Sequence, residues 1–168
     1  AKHTTGYKEN PLSFLFNHTV RHTIGDGRHE TERYNQLIEE FTDKTVFKPK
    51  LYPSLSERQQ VKKITEGPYV CMAPASVWFT KQLPLVKWVE LCDMQSSDTR
   101  IFLLGAPGDE GLCLDIKKQS AHPHIEILTG KLTLLQSAQL MNGAAMNYVN
   151  DSAPLHLASS MNSPVKAF

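Results

Sequence analysis

One loop of the sequence combines two hydroxyl groups with a cation. It reads APASVWFTKQLP over residues 73–84 and offers the side chains of Ser76, Thr80 and Lys81. An ammonium group on a flexible stem can neutralise the charge that develops on a departing diphosphate. A lone lysine in a surface loop is more often only a solvated charge, so this chemistry depends on which groups lie opposite the loop.

A second polar loop, GAPGDE over residues 105–110, carries Asp109. A carboxylate at the end of a strand can accept two hydrogen bonds from the hydroxyl groups of a ribose. The same residue can also serve only to cap the helix that follows the loop. Both interpretations place Asp109 at the start of a helix.

The most informative stretch is NDSAPLHLA over residues 150–158, which we interpret as a strand end followed by the start of a helix. Unpaired N–H groups and the helix dipole give such an end about half a unit of positive charge, and phosphates bind there. Asp151 or Ser152 can cap this helix, Pro154 suits its first turn, and His156 could donate to a phosphate oxygen. A plain capped helix with a hydrogen-bonded histidine is the alternative.

The elements that must position these loops alternate between strand and helix from residue 46 onward. Short apolar runs predict strands over residues 46–51, 69–73, 100–105, 124–128, 145–149 and 164–168. Amphipathic stretches predict helices over residues 57–65, 84–92, 110–119, 132–141 and 151–161.

Strands that are apolar throughout are buried on both faces. The pattern therefore predicts an α/β fold, a Rossmann-like parallel sheet with helices on both faces. In such sheets, ligands bind beyond the carboxyl ends of the strands, and each of the three polar loops directly follows a predicted strand.

Residues 1–45 have a different character. One amphipathic helix is predicted over residues 29–41, with Tyr34, Leu37, Ile38 and Phe41 on one side. We expect this part to be a connecting segment outside the alternating repeat. Because the sequence starts without Met and stops inside the last predicted strand, we also expect it to be a piece of a larger protein.

Composition argues against several classes of function. The 18 basic and 17 acidic side chains give a net charge of +1, which argues against a nucleic-acid-binding protein that relies on bulk positive charge. No apolar run approaches the roughly 20 residues of a membrane helix. The sequence contains neither GxxxxGKS/T nor GxGxxG, so P-loop enzymes and nicotinamide dehydrogenases are poorly supported.

Three cysteines, Cys71, Cys92 and Cys113, are too far apart in sequence for a paired zinc motif. We expect them to be buried, reduced thiols in a cytoplasmic protein.

Taken in order, these loops resemble the C-terminal half of glycosyltransferase family 9, the ADP-heptose:lipopolysaccharide heptosyltransferases. The resemblance is carried by APASVWFTKQLP (73–84), LLGAPGDE (103–110), GKLTLLQSAQL (130–140) and NDSAPLHLASS (150–160). NDSAPLHLA is the most specific part, because it is similar to the family's D-T/S-G-x-x-H signature. The resemblance covers roughly residues 46–168, and residues 1–45 resemble the run that leads out of the family's N-terminal domain.

The resemblance implies the GT-B arrangement of two Rossmann-like domains. Residues 46–168 would form the C-terminal nucleotide-sugar-binding domain, incomplete at its C-terminus, and residues 1–45 the end of the N-terminal domain or an interdomain segment. The implied reaction is transfer of heptose from ADP-heptose to the inner core of lipopolysaccharide with inversion. We expect no cofactor, and no metal, because no cluster of metal-ligating residues stands out in the sequence. The catalytic carboxylate base would lie in the N-terminal domain, outside this chain, so we expect this piece alone to be inactive.

The resemblance also implies roles for individual residues. Lys81 would be the catalytic residue that binds the diphosphate and stabilises the departing ADP. Asp109 would hold the ribose, Leu132 would line the adenine pocket, and Asp151 would contact the sugar. The remaining substrate-binding residues, most of them at the phosphates, would be Ser76, Thr80, Ser152, Ala153 and His156.

The chain departs from the family at two positions, Ala75 and Ala153, where glycine is usual. Glycine allows a ligand to approach the backbone closely. Alanine keeps the backbone N–H, so binding survives where φ is negative, whereas a positive φ would indicate a changed donor preference. Two alternatives stay open: a non-catalytic nucleotide-binding or interaction module, and another GT-B sugar-nucleotide enzyme such as an epimerase.

Overall fold

The computed structural model of the protein describes residues 2–43 and 45–168. The chain divides into two compact units, Ala1–Pro49 and Lys50–Phe168. Ala1 and Lys44, which belong to the predicted 1–45 segment, lie outside the described residues.

The first unit contains two short parallel strands and one helix. Strands β1 (Thr5–Tyr7) and β2 (His18–Val20) pair with Thr5 opposite His18, and the sequence pattern predicted neither of them. Helix α1 (Glu30–Gln36) begins with a capping box between His29 and Glu32.

The predicted helix over residues 29–41 is wrong in its second half. After Gln36 the backbone tightens into a separate 3-10 turn, Glu39–Phe41. Tyr34, Ile38 and Phe41 are all exposed. Short helices are stabilised mainly by packing an apolar face against the rest of a protein. Because these side chains are exposed, no such packing stabilises a longer helix here.

The predicted strand over residues 46–51 is also wrong, because this segment pairs with no strand and lies outside the sheet. Val46 and Phe47 are exposed, and Pro49 has no N–H to donate to a neighbouring strand. The boundary between the two units falls within this segment.

The second unit contains five strands and five helices in strict alternation, starting with a helix. In chain order these are α2 (Leu55–Lys62), β3 (Tyr69–Ala73), α3 (Leu85–Asp93), β4 (Arg100–Leu103), α4 (Glu110–Gln119), β5 (Ile125–Ile127), α5 (Leu134–Gly143), β6 (Asn147–Val149), α6 (Ala153–Ser160) and β7 (Val165–Ala167). Apart from residues 46–51, each predicted strand and helix of this part is present, with ends shifted by a few residues.

The strands form one parallel sheet in the order β5-β4-β3-β6-β7. The chain first builds outward from β3 in one direction and then returns to the other side of β3 with β6. This is a doubly wound arrangement with its switch point between β3 and β6. The predicted Rossmann-like parallel sheet is therefore confirmed.

The helices cover both faces of the sheet, because successive residues of each strand point to opposite sides. Tyr69, Cys71 and Ala73 of β3 pack in a cluster with residues of α2, α5 and α6. Val70 and Met72 of the same strand pack in a second cluster with residues of α3 and α4. Two apolar layers therefore hold the sheet between two sets of helices.

The three cysteines are free and buried in these clusters, as the sequence predicted. Burial raises the pKa of the Cys71 thiol far above its ordinary value and raises those of Cys92 and Cys113 to about 12. All three are therefore thiols at neutral pH. Within the described part of the chain, no helix has both the length and the apolar composition needed to cross a membrane.

Gly130 occupies a turn that only glycine can form without strain. Its φ is +68°, and a Cβ atom built there would lie 2.8 Å from Cγ of Pro107. Its N–H donates to the carbonyl of Gly105 at 3.0 Å. The loop after β5 thereby lies directly against the loop after β4.

A left-handed backbone conformation alone costs an alanine about 1–2 kcal/mol. We expect Gly130→Ala to lower the free energy of unfolding by more than this amount, because its Cβ would also clash with Pro107. Gly67→Ala is a control that measures the cost of the left-handed backbone alone, because Gly67 has a φ of +70° and open space around it. Gly108→Ala, in open space without a positive φ, should change stability by less than about 0.5 kcal/mol. Urea unfolding of the three variants checks this order, and equal losses for Gly130→Ala and Gly67→Ala would contradict the role of Pro107.

Candidate functional site

The site lies where the two central strands of the sheet end. Ala73 of β3 is opposite Val149 of β6, so the loops after these strands start side by side. The chain then continues from β3 into α3 and from β6 into α6, whose residues pack in the opposite clusters. Loops that diverge from neighbouring parallel strands open a crevice, which is where ligands of doubly wound sheets bind.

A cleft of about 650 Å³ opens at this edge of the sheet. The loops after β3, β4, β5 and β6 all contribute to its lining. Among the residues predicted from the sequence, those in the lining are Ser76, Asp109, Leu132, Ser152 and Ala153. The other four, Thr80, Lys81, Asp151 and His156, are exposed and lie outside the lining.

Lys81 and Asp151 form an ion pair across the switch point. Nζ of Lys81 donates to Oδ2 of Asp151 at 2.5 Å, and the two side chains are 45% and 49% exposed. The hydrogen bond and the charge of Lys81 lower the pKa of the Asp151 carboxyl, and His156 adds a smaller effect in the same direction. Asp151 is therefore a carboxylate at neutral pH, and the two loops meet through opposite charges.

Helix α6 begins two residues after Asp151, and its first residues, Ala153 and Pro154, line the cleft. Ser152 occupies the position before the helix, but its hydroxyl donates to the carbonyls of Asn150 (3.3 Å) and Ala75 (3.4 Å) and makes no side-chain cap. Pro154 has no N–H. The start of α6 thus keeps its dipole charge without a capping side chain, which differs from the plain capped helix of the alternative interpretation.

Ala75 and Ala153 stand where glycine is usual in the family that the sequence resembles, but neither position has the positive φ that favours glycine. Among residues 2–43 and 45–168, Asn162 is the one non-glycine residue with a positive φ. Ala75 and Ala153 therefore have ordinary backbone conformations, and both line the cleft. Their backbone N–H groups are retained.

Asp109 stabilises its own loop. Its Oδ2 accepts a hydrogen bond from the N–H of Ala106 at 2.7 Å. The same oxygen packs closely against Gly105, since a Cβ atom built on that glycine would lie 2.8 Å from it. It does not cap α4 with its side chain. The carboxyl group is thereby fixed at the rim of the cleft, close to the carboxyl end of β4.

Part of the cleft lining is apolar and consists of Leu104, Leu132, Leu134, Met141 and Leu157. All of these except Leu134 belong to the apolar cluster of α2, α5 and α6 or pack against it. Leu132 lies two residues after Gly130, so the hydrogen bond from Gly130 to Gly105 helps to fix its approach to the cleft. An apolar wall facing polar loops suits a flat, partly apolar ring that carries polar substituents.

Sequence reasoning missed Asn150. This side chain is fully buried: its Oδ1 accepts from the N–H of Leu83 at 3.1 Å, and its Nδ2 donates to the carbonyl of Pro74 at 2.7 Å. It connects the loops after β3 and β6. The sequence feature that could have identified Asn150 is its place directly after an apolar strand, where a buried side chain is expected and an amide therefore needs hydrogen-bond partners.

Across residues 2–43 and 45–168, no three His, Cys, Asp or Glu side chains come together in a way that could hold a metal ion. The arrangement instead combines one cation, a helix start and backbone N–H groups. These are groups that bind phosphate oxygens.

Comparison with known families gives one match that spans nearly all of the sequence. Residues 1–167 match the family model of Glycosyltransferase family 9 (heptosyltransferase). A comparison with curated proteins gives no match.

Three solved proteins share the fold at low sequence identity. The glycosyl transferase family 9 structure from Veillonella parvula DSM 2008 has a TM-score of 0.83 and 21% identity, covering 99% of this chain and 50% of that one. E. coli ADP-heptose LPS heptosyltransferase II has a TM-score of 0.75 and 21% identity, and the match covers 98% of this chain and 55% of that one. E. coli heptosyltransferase WaaC has been solved with ADP and with ADP-2-deoxy-2-fluoro heptose, and both structures have a TM-score of 0.68. Their sequence identities are 23% and 22%, and each match covers 98% of this chain and 54% or 53% of WaaC. The chain therefore spans about half the length of these proteins.

We expect Lys81→Met to raise the pKa of Asp151 towards its ordinary value, because the substitution removes the hydrogen bond and charge that lower it. NMR titration of the Asp151 carboxyl carbon measures this change. Lys87→Met is the matched control, because Lys87 pairs with Glu90 on α3 instead. An Asp151 pKa that is the same in Lys81→Met and in the wild type would contradict the ion pair.

Proposed function

The chain belongs to glycosyltransferase family 9, and we propose that it supplies the part of a heptosyltransferase that binds the nucleotide-sugar donor. The observation that carries this proposal is the meeting of Lys81, Asp151 and the uncapped start of α6 beside a cleft at the switch point of the sheet. ADP and an ADP-heptose analogue in the related WaaC structures favour the same class of donor.

The diphosphate is proposed to bind at the start of α6. Ser76, Ser152 and Ala153, which offer two hydroxyls and a backbone N–H, line the cleft, whereas Lys81 lies outside the lining and pairs with Asp151. The Lys81 ammonium group, which pairs with Asp151 in the free chain, then shares its charge with the phosphates. His156 in the first turn of α6 and the hydroxyl of Thr80 complete this set of donors.

The adenosine is proposed to occupy the apolar side of the cleft. Leu132 lines the adenine pocket, and the carboxylate of Asp109 accepts hydrogen bonds from the ribose hydroxyls. Asp151 remains next to the diphosphate and is proposed to contact hydroxyl groups of the transferred sugar. The order adenine, ribose, diphosphate and sugar then runs from the cleft towards the ion pair.

The proposed reaction is a single displacement that inverts the anomeric centre. A hydroxyl oxygen of the lipopolysaccharide inner core forms a bond to the anomeric carbon of heptose, and the bond from that carbon to the ADP oxygen breaks. The electron pair leaves with ADP, where Lys81 and the start of α6 stabilise the new charge. The proton of the acceptor goes to a carboxylate base that we place outside this chain.

The proposed setting follows from the acceptor. A lipid-linked inner core would be met by a cytoplasmic protein at the inner face of the inner membrane. No cofactor takes part in this scheme, since the donor itself carries the leaving group.

We expect the chain to bind ADP in isothermal titration calorimetry. Lys81→Met should weaken binding by at least about tenfold, since a hydrogen bond to a charged group contributes about 1.5–3 kcal/mol. Lys87→Met should leave the ADP affinity unchanged, because its ammonium group pairs with Glu90. If the folded wild-type chain showed no ADP binding, the proposed donor site would be wrong.

The transfer step is tested on the full-length protein with ADP-heptose and a deep-rough lipopolysaccharide acceptor. Acceptor-dependent release of ADP is the expected result. ADP binding without release would indicate a non-catalytic nucleotide-binding module. Conversion of the donor sugar without an acceptor would indicate another sugar-nucleotide enzyme such as an epimerase.

A further inference from the structure

Asn150 ties together the two loops that carry the charged groups of the site. Building on the proposed function, we propose that Asn150 is a positioning residue, which holds the loop bearing Lys81 in place for donor binding without touching the donor. It acts through its two backbone partners, Pro74 and Leu83.

The two partners of Asn150 lie at opposite ends of that loop. Pro74 directly follows β3, and Leu83 is close to the start of α3. Lys81 lies between them, in the 3-10 turn Phe79–Lys81. One side chain thus fixes both ends of the loop through bonds that span 76 and 67 residues of sequence.

The chemistry of this position requires an amide. The carbonyl of Pro74 needs a donor and the N–H of Leu83 needs an acceptor; Asn150 and Pro74 are fully buried, and the bond to Leu83 is partly buried. Asparagine supplies both without a charge. Leaving either backbone group unpaired in the interior would cost free energy, so both bonds favour the observed loop conformation.

The Lys81–Asp151 pair cannot itself hold the loop. Both side chains are nearly half exposed, and exposed ion pairs contribute only about 0–1 kcal/mol. Buried hydrogen bonds to Asn150 are the stronger constraint. The position of Lys81 relative to Asp151 therefore follows from Asn150.

Asn147 provides a matched control at the other end of β6. It is also fully buried, and its Nδ2 donates to the carbonyls of Met141 and Pro164, both at 2.9 Å. These bonds lie away from the loop of Lys81. Alanine at this position removes a comparable amide from the core but leaves the Asn150 bonds in place.

The test compares Asn150→Ala and Asn147→Ala in the whole chain, with thermal unfolding to confirm that each variant is folded. In Asn150→Ala we expect the ADP affinity to fall by about tenfold, the amount that corresponds to losing a buried hydrogen bond. We also expect the pKa of Asp151 to rise towards its value in Lys81→Met, because a displaced Lys81 no longer lowers it. Asn147→Ala should change both readouts little, although it lowers the unfolding temperature.

A second variant covers the case in which Asn150→Ala does not fold. Asn150→Asp keeps the size of the side chain, and its carboxyl can donate to Pro74 only when protonated. Relative to the wild type at each pH, its ADP affinity should be low near about pH 8 and recover near about pH 5.5, since burial favours the protonated form.

An unchanged Asp151 pKa or an unchanged ADP affinity in folded Asn150→Ala would overturn the positioning role. In Asn150→Asp, an ADP affinity that stays equal to that of the wild type above the pKa of the introduced carboxyl, as measured by NMR titration, would overturn it too. Equal losses in Asn147→Ala would do the same, since the effect would then be general destabilisation. If the wild-type chain binds no ADP, the proposed function fails, whereas the Asp151 titration still tests the geometry by itself.

Discussion

The pairing of β3 with β6 is the constraint on which the candidate site depends. These neighbours continue into helices on opposite faces of the sheet, so their loops separate at its edge and leave room for a ligand. The register that sets Ala73 opposite Val149 decides where each loop starts. A shift of one residue would turn every side chain of β6 to the other face, so the apolar core protects the geometry of the site.

Different interactions hold different parts of this arrangement. Burial of large side chains such as Phe102 and Trp88, worth about 1.5–3 kcal/mol each, fixes the strands and helices. The buried amide of Asn150 fixes one loop against the other. The exposed pair of Lys81 and Asp151 contributes little to stability. The fold therefore does not depend on the pair of Lys81 and Asp151.

Sequence patterns predicted the sheet well because a buried strand such as β3 is apolar at every position. They failed for residues 46–51, since a run of apolar residues does not reveal whether a partner strand is available. The topology rule placed the loops of Lys81 and Asp151 at one edge. It did not give their direct ion pair, nor the bonds of Asn150, because side-chain contacts between residues so distant in sequence depend on the packed backbone.

The buried cysteines give the second unit a set of internal reporters. Cys71 of β3 packs in the layer between the sheet and α2, α5 and α6, whereas Cys92 of α3 and Cys113 of α4 pack in the layer between these two helices and the sheet. A thiol reagent reaches any of them only when the covering helices separate from the sheet. The rates at which the three are labelled would therefore distinguish opening of one helical layer from opening of the other, without any engineered probe.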